Sequence, residues 1–150
     1  MAAFQVLSFN HTAFTVSDLD AVIPFFRDLL GFELTSRAPR DGRLIERMTA
    51  IAGVDIEIAY VNGPGHRIEL IQYKAPADRE VVVPRLCDSG AAHVALNVTG
   101  IDDLVAASAA YGFSAVGEII EIDAGPNKGS KVVYLRGADG ITVEYIEKAA

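Results

Sequence analysis

The stretch FNHTAFTVSDLDAV, residues 9–22, decides the fold, because a related stretch, AAHVALNVTGIDDL, occupies residues 91–104. Near the start of each copy a histidine, His11 or His93, precedes an alternating strand pattern and then a helix start. Three further positions match when the histidines are aligned: Ala13 with Ala95, Val16 with Val98, and Asp20 with Asp102. A repeated pattern of this kind in one short chain predicts an internally duplicated fold.

Each copy continues as a helix followed by strands. Ser17 or Asp18 is a suitable helix N-cap in the first copy, Gly31 stands where a C-terminal cap would end that helix, and Gly112 holds the corresponding position in the second copy. Runs typical of strands follow. They are VDIEIAYV (54–61) and RIELIQY (67–73) in the first copy, and EIIEID (118–123), KVVYLR (131–136) and ITVEYIE (141–147) in the second. The sequence therefore predicts an α+β fold in which each half is a strand, a helix and about three strands.

The chain is expected to form one domain, residues 1–150, because 51% of its residues are hydrophobic and can bury a substantial core. We place the two modules at about 5–74 and about 90–148. A helix at about 77–88 is predicted to link them, with Cys87 as a buried structural thiol.

Two histidines and two glutamates occupy equivalent places in the two halves. Glu69, His93 and Glu144 alternate with apolar residues on their strands, and His11 holds the position equivalent to His93. All four are therefore predicted to face away from the core, where a concave sheet could gather them. Any one alone could be an ordinary solvent-facing or hydrogen-bonded residue, but the four together would be costly to bury without a cation. Imidazole nitrogen and carboxylate oxygen suit zinc, nickel, cobalt, manganese or iron. We predict one divalent metal ion held by His11, Glu69, His93 and Glu144.

The charge and composition argue against several other classes of protein. The net charge is −7, and the lysines and arginines are scattered, which disfavours a nucleic-acid-binding surface. No segment has the apolar length of a membrane span, and the N-terminus lacks the pattern of a signal peptide. We therefore expect a cytoplasmic protein that binds neither nucleic acid nor membrane.

These residues resemble those of the vicinal oxygen chelate superfamily, which includes glyoxalase I, methylmalonyl-CoA epimerase, extradiol dioxygenases and bleomycin-binding proteins. The similar segments contain the four predicted ligands: HTAFTVSDLDAVIPFFRDLLGF (11–32), HRIELIQY (66–73), AAHVALNVTGIDDLVAASAAYGF (91–113) and GPNKGSKVVYLRGADGITVEYIE (125–147). The resemblance implies two βαβββ modules forming a cupped, barrel-like mixed sheet with the helices outside. It also implies a homodimer and a small-molecule substrate with a carbonyl or vicinal oxygens.

Two members of the superfamily are the most similar in type. The His, Glu, His, Glu set and the loop GPNKGSKVVY (125–134) resemble bacterial glyoxalase I, although the first strand lacks the arginine that this enzyme uses for glutathione. The segment DLDAV (18–22) resembles methylmalonyl-CoA epimerase, whose usual second ligand is Gln where this chain has Glu69. Extradiol dioxygenases use a His, His, Glu triad, and bleomycin-binding relatives generally lack the four-residue set, so both resemble this chain less.

The resemblance implies a metal-dependent isomerase, epimerase or glyoxalase-type lyase that moves a proton on the carbon next to a carbonyl or enolate oxygen. Glu144 is the first candidate base, because the corresponding ligand serves that role in both similar enzymes. Glu57 alternates with Ile56 and Ile58 and is expected to face the same cup as a second base. Lys128, in a glycine-rich loop, is a tentative contact for an anionic substrate group. The alternatives are a small-molecule-binding or antibiotic-resistance protein and an iron-dependent dioxygenase.

Overall fold

The computed structural model describes residues 4–137 and 139–149, within which each half of the chain forms its own sheet. The first half comprises β1 (Thr12–Val16), α1 (Leu19–Pro24), β2 (Glu33–Pro39), α2 (Gly42–Thr49), β3 (Asp55–Gly63) and β4 (His66–Ala75). The second half comprises β5 (Val94–Asn97), α3 (Ile101–Ser108), β6 (Ser114–Ala115), β7 (Ile120–Glu121), β8 (Lys131–Arg136) and β9 (Thr142–Glu147). A π-helical turn, Phe25–Leu29, extends α1, and a 3-10 turn, Ala109–Tyr111, extends α3.

The two sheets have equivalent topologies. In the first, the strand order is β1-β4-β3-β2, with β1 parallel to β4 and the other neighbours antiparallel. In the second, the order is β5-β9-β8, with β5 parallel to β9, and the short strands β6 and β7 both pair with β8. The predicted α+β class is confirmed. Over residues 4–137 and 139–149 the strands form two open sheets and no closed barrel.

The predicted helix boundaries are reproduced at both ends of the first helix. The Asp18 side chain caps α1 by accepting a hydrogen bond of 2.9 Å from the backbone N–H of Asp20. Gly31, at the end of the π-helical turn, has a φ of 71°, and Gly112 has a φ of 79° in the same place of the second half. These left-handed conformations favour glycine. None of the helices in the described part of the chain has the length and apolar character needed to span a membrane.

One hydrophobic core joins the two halves. Phe25, after α1, stacks on Phe113, after α3, with ring centroids 3.6 Å apart and planes 14° apart. Leu70 of β4 and Val143 of β9 belong to the same core and are fully buried. Burying a side chain of this size stabilises the fold by about 1.5–3 kcal/mol. The core therefore covers one face of each sheet and leaves the opposite face of each sheet uncovered.

A smaller apolar cluster covers part of the other face of the first sheet. The helix α2, capped by Asp41, places Ile45 against Ile56 and Ile58 of β3. The strand β3 is consequently buried on both faces, by the main core on one side and by α2 on the other. Alternation of residues along such a strand does not show which of its two faces packs on the main core.

The predicted linker helix at about 77–88 is wrong. The segment between β4 and β5 consists of turns and irregular structure. Pro76 and Pro84 lack a backbone N–H donor, and the run Val81, Val82, Val83 is β-branched, so both features disfavour a helix. Cys87, in the same segment, is exposed rather than buried.

Candidate functional site

The first half of the predicted metal site, here called the first half-site, consists of His11, just before β1, and Glu69, in the middle of β4. His11 Nε2 lies 3.1 Å from Glu69 Oε2, because the parallel register aligns Ala13 with Glu69 and brings the start of β1 beside it. Glu69 is 8% exposed. Asn10 Oδ1 lies 2.7 Å from His11 Nδ1, so that nitrogen can donate a hydrogen bond and Nε2 is directed to Glu69. Two of the four predicted ligands, His11 and Glu69, are therefore in contact in this half.

The second half-site, His93 and Glu144, repeats this arrangement with the residue before β5 and the middle of β9. His93 Nε2 lies 3.3 Å from Glu144 Oε2, and the parallel register aligns Ala95 with Glu144. The His93 side chain is 41% exposed and the Glu144 side chain 15% exposed. Both glutamates alternate with core residues of their strands, so both half-sites lie on the sheet faces that the shared core leaves uncovered.

Each half-site also contains a tyrosine that the sequence pattern does not single out. Tyr60 of β3 lies directly across from Glu69, and its hydroxyl donates a hydrogen bond of 2.5 Å to Glu69 Oε1. Tyr134 of β8 lies across from Glu144, with its ring edge-on to His93 at a centroid distance of 5.2 Å. The available signal was a tyrosine on the strand before each glutamate, but only the hairpin registers identify its partner.

The pKa values of the two tyrosines reflect these neighbours. The hydrogen bond to Glu69 is the main cause that raises the pKa of Tyr60, followed by burial and the charge of Glu69. Burial is the main cause that raises the pKa of Tyr134, followed by the charge of Glu144 and by hydrogen bonding to it. Both phenols therefore stay protonated at neutral pH and can act as donors.

The two half-sites are not combined within one chain. Over residues 4–137 and 139–149, no group of three or more His, Cys, Asp and Glu side chains could hold a metal ion. The donor types suit a divalent cation, because each half offers an imidazole nitrogen and a carboxylate oxygen. Two ligands are nevertheless fewer than the three or four protein ligands of typical sites. The four-ligand metal site stays a prediction.

The expected position of Glu57 in the cup is wrong. The register of β3 and β4 pairs Glu57 with Gln72 but Tyr60 with Glu69, so Glu57 and Glu69 lie on opposite faces. Glu57 forms ion pairs with Arg37 at 2.8 Å and with Lys74 at 3.0 Å. The arginine hydrogen bond, followed by that of the lysine, holds the pKa of Glu57 below its usual value. Because β3 is buried on both faces, its alternation pattern gave the wrong face.

Lys128 lies in the turn between β7 and β8, where its side chain is exposed. Its backbone N–H donates to the carbonyl of Gly125 at 3.2 Å. The turn is followed by β8, which begins at Lys131. Tyr134, three residues further along β8, lies across from Glu144. A substrate contact through Lys128 stays a prediction.

A cavity of about 720 Å³ lies toward the C-terminal ends of β1 and β4, away from the first half-site. Thr15 of β1 and Tyr73 of β4 line it, and each lies four residues beyond a half-site residue on the same sheet face, after His11 and Glu69 respectively. Four residues of strand span about 13 Å. Arg79, from the segment that follows β4, adds a cationic group to the cavity wall.

Comparison with known proteins places this geometry in a family. A model of the glyoxalase/bleomycin resistance protein/dioxygenase superfamily matches residues 8–145. The chain belongs to this superfamily. A relative, a 2-epi-5-epi-valiolone epimerase from an Actinomyces species, is 31% identical over 94% of this chain and 79% of its own length.

Solved structures of the superfamily share the fold. A glyoxalase family protein from Bacillus cereus is similar over 100% of this chain and 99% of its own, with a TM-score of 0.85 and 29% identity. A glyoxalase I mutant from Zea mays is similar over 93% of this chain and 45% of its own, with a TM-score of 0.64 and 17% identity. The second likeness is one of fold alone.

Proposed function

We propose that this superfamily member is a divalent-metal-dependent epimerase that inverts a carbon next to the carbonyl of a small hydroxylated ketone. The observation that carries the proposal is the duplicated half-site, His11 with Glu69 and His93 with Glu144, on the sheet faces left free by the core. Similarity to a 2-epi-5-epi-valiolone epimerase favours epimerisation over the isomerase and lyase reactions of the same superfamily. A ketone of that kind is the first substrate to test.

The metal ligands in this proposal are the two histidines and the two glutamates. Their imidazole nitrogens and carboxylate oxygens suit zinc, nickel, cobalt, manganese or iron. When bound, a divalent ion would supply Lewis acidity toward a carbonyl oxygen. Glu69 is 8% exposed, and a buried carboxylate needs such a cationic or hydrogen-bonding environment.

Proton transfer is assigned to Glu144. Its carboxylate takes the proton from the carbon next to the substrate carbonyl, and the electron pair of the broken C–H bond moves toward the carbonyl oxygen to give an enolate. Water then protonates the opposite face of that carbon, which restores the ketone with inverted configuration. The hydroxide left behind takes the proton from Glu144, so that water and the carboxylate are both regenerated. A positioned base of this kind contributes about 10²- to 10⁴-fold to the rate.

We further propose that the complete site forms between two copies of the chain. No group of three ligand side chains forms within the described residues of one chain, so a homodimer can complete the set by placing the first half-site of one copy against the second half-site of the other. The N-terminal segment supports self-association, because four of its large apolar side chains are 83–95% exposed: Phe4, Val6, Leu7 and Phe9.

Lys128 is retained as a contact for a negatively charged substrate group. A cytoplasmic location is part of the same proposal.

Solvent deuterium exchange tests the function directly. The wild-type protein, loaded with Mn²⁺ and incubated in D₂O with 2-epi-5-epi-valiolone, is expected to place deuterium on the carbon next to the carbonyl. The variant Glu144→Gln is expected to lose the exchange. Mn²⁺ binding without exchange into this ketone or related hydroxylated ketones would favour a binding or resistance protein. Retained exchange in the variant would remove Glu144 as the base.

A further inference from the structure

Residues 4–9, FQVLSF, form an uncovered apolar segment, here called the N-terminal arm. The side chains of Phe4, Val6, Leu7 and Phe9 are 83–95% exposed. The arm contains no charged residue, no proline and no glycine, and phenylalanine and valine favour strands. A short segment of this composition is typical of chain that pairs with another strand.

Both faces of the arm are apolar when it is extended. Alternation places Phe4 and Val6 on one face and Leu7 and Phe9 on the other. A strand with two apolar faces is typical of a position buried on both sides. The exposed arm of a single copy therefore lacks the surface that would cover it.

The open edge of β5 offers a partner for a strand. Within the described residues, β5 stands at the end of its sheet and pairs with β9 alone. No residue of β5 is buried, whereas Val143 and Tyr145 of the neighbouring β9 are fully buried. The outer backbone edge of such a strand is a template for an added strand.

A cavity of about 440 Å³ borders β5 along its whole length. Residues 94–99, which are β5 and the two residues after it, line one side. Apolar side chains of the first half line the other side, among them Leu29, Leu30, Phe32 and Ile68. The described lining includes no lysine, arginine, aspartate or glutamate, so the cavity matches the uncharged arm.

We propose that the N-terminal arm of a second copy adds as a strand to the open edge of β5 and places its apolar side chains in this cavity. Two-fold symmetry makes the exchange reciprocal, because each copy gives one arm and receives one. The inference rests on the homodimer of the proposed function but not on a bound metal. It names the surface through which that dimer forms.

The area of the arms is sufficient for a stable dimer. A phenylalanine side chain buries about 150–250 Å². The four phenylalanines of two arms, together with the surface that they cover, therefore account for about 1,200–2,000 Å², which is the size of a standard protein interface. Residues 1–11 contain no lysine or arginine, which disfavours an anionic membrane surface as the partner.

The position of the arm favours an exchange over a short distance. Thr12 Oγ1, at the start of β1, lies 2.8 Å from His66 Nε2, and His66 lines the cavity. The arm therefore leaves β1 close to the cavity of its own copy. A two-fold axis near this point brings each arm beside the cavity of the other copy as well.

Sedimentation equilibrium tests the role of the arm in the dimer. Leu7→Glu is expected to raise the Kd of the dimer by about 100-fold or more, because each dimer would bury two unpaired charges. Met48→Glu is the matched control, since Met48 is also exposed, at 71%, but lies on α2 and does not line the cavity. Its dimer Kd should stay within about threefold of the wild type. Both variants should keep the circular dichroism of the wild type.

Cross-linking locates the arm. In a Cys87→Ser background, which removes the one cysteine of the chain, Leu7→Cys and Thr99→Cys proteins are mixed and treated with a short bismaleimide. The mixture is expected to form a covalent dimer, whereas neither protein alone should do so. A double variant, Leu7→Cys with Thr99→Cys, is treated in the same way to detect a link within one chain.

Several results would overturn the inference. They are a monomeric wild type, an unchanged dimer Kd in Leu7→Glu, a link only within the monomer of the double variant, and no link in any preparation. A link only within the monomer would place the arm in the cavity of its own chain. If the dimer depends on the arm but the wild type exchanges no deuterium into the ketone, the proposed function has failed and the inference stands.

Discussion

Glu57 and Glu69 lie on neighbouring strands of one sheet but face opposite sides of it. The antiparallel register pairs Glu57 with Gln72, three residues beyond Glu69 on β4. Gln72 accepts from the backbone N–H of Leu19 at 3.3 Å and donates to the carbonyl of Ser17 at 2.9 Å, so its face is the one beside the start of α1. Glu57 therefore belongs to a surface ion-pair network, and Glu69 belongs to the half-site.

This separation predicts different kinetic effects for two conservative substitutions. Glu57→Gln is expected to keep kcat within about threefold of the wild type, whereas Glu144→Gln should lower kcat by about 10²- to 10⁴-fold because it removes the base. Deuterium exchange and steady-state kinetics measure both. A large loss of kcat in metal-loaded Glu57→Gln with normal stability would return Glu57 to the catalytic residues.

The Glu57 network also predicts a pH dependence of stability. Hydrogen bonds from Arg37 and then Lys74 lower the pKa of Glu57 in the folded protein. A carboxyl group whose pKa is lowered by folding stabilises the folded protein at pH values above its ordinary pKa. This stabilisation is lost as the pH falls through the pKa of the folded state.

Urea unfolding of the wild type and Glu57→Gln checks this dependence. The free energy of unfolding should differ between the two proteins at about pH 7, and the difference should shrink toward about pH 3. Repetition in high salt provides a control, because exposed ion pairs are screened. A difference that stays constant across this range would show that the charge of Glu57 has no part in it.

Sharing of the site between two copies predicts complementation between inactive variants. His11→Ala and His93→Ala are each expected to be inactive alone. After mixing and subunit exchange, mixed dimers would contain one intact site, restoring roughly a quarter of wild-type activity when the subunits assort at random. Sedimentation of the wild type checks for the dimer. If the mixed variants exchange subunits but regain no activity, the complete site does not form between two copies of the chain.

A glycine under a phenylalanine ring recurs in both halves and predicts a steric effect on stability. A Cβ at Gly63 would overlap the Phe32 ring, and a Cβ at Gly137 would lie 2.7 Å from the Phe113 ring. Substitution of either glycine by alanine is expected to lower the free energy of unfolding by about 1–3 kcal/mol through overpacking.

Gly117→Ala is the matched control, because a Cβ there would meet no atom within 4 Å. Its unfolding free energy is expected to stay within about 0.5 kcal/mol of the wild type, as for an ordinary surface substitution. Chemical denaturation measures all three variants. Equal effects at Gly63 and Gly117 would contradict the steric explanation.

Local patterns in the sequence predicted much of the fold and the half-sites. The repeated strand and helix pattern gave the two modules, and Asp18 and Gly31 gave the limits of the first helix. The histidine and the glutamate of each half, which stand at equivalent points of the duplication, lie beside each other in the structure. These features depend on short-range periodicity and capping, which a sequence displays directly.

Other features required the tertiary structure. Glu57 lies on one face of β3, and α2 packs on the other face, against Ile56 and Ile58. The alternation of residues along β3 does not show that a helix covers that second face. The partners of Tyr60 and Tyr134 depend on hairpin registers. The separation of the half-sites depends on how the two sheets pack on their shared core. The sequence by itself determined the duplicated strand and helix pattern and the equivalent positions of its histidines and glutamates. Only tertiary structure decided which face each side chain occupies and which neighbours it meets, because register and packing join residues that are distant along the chain.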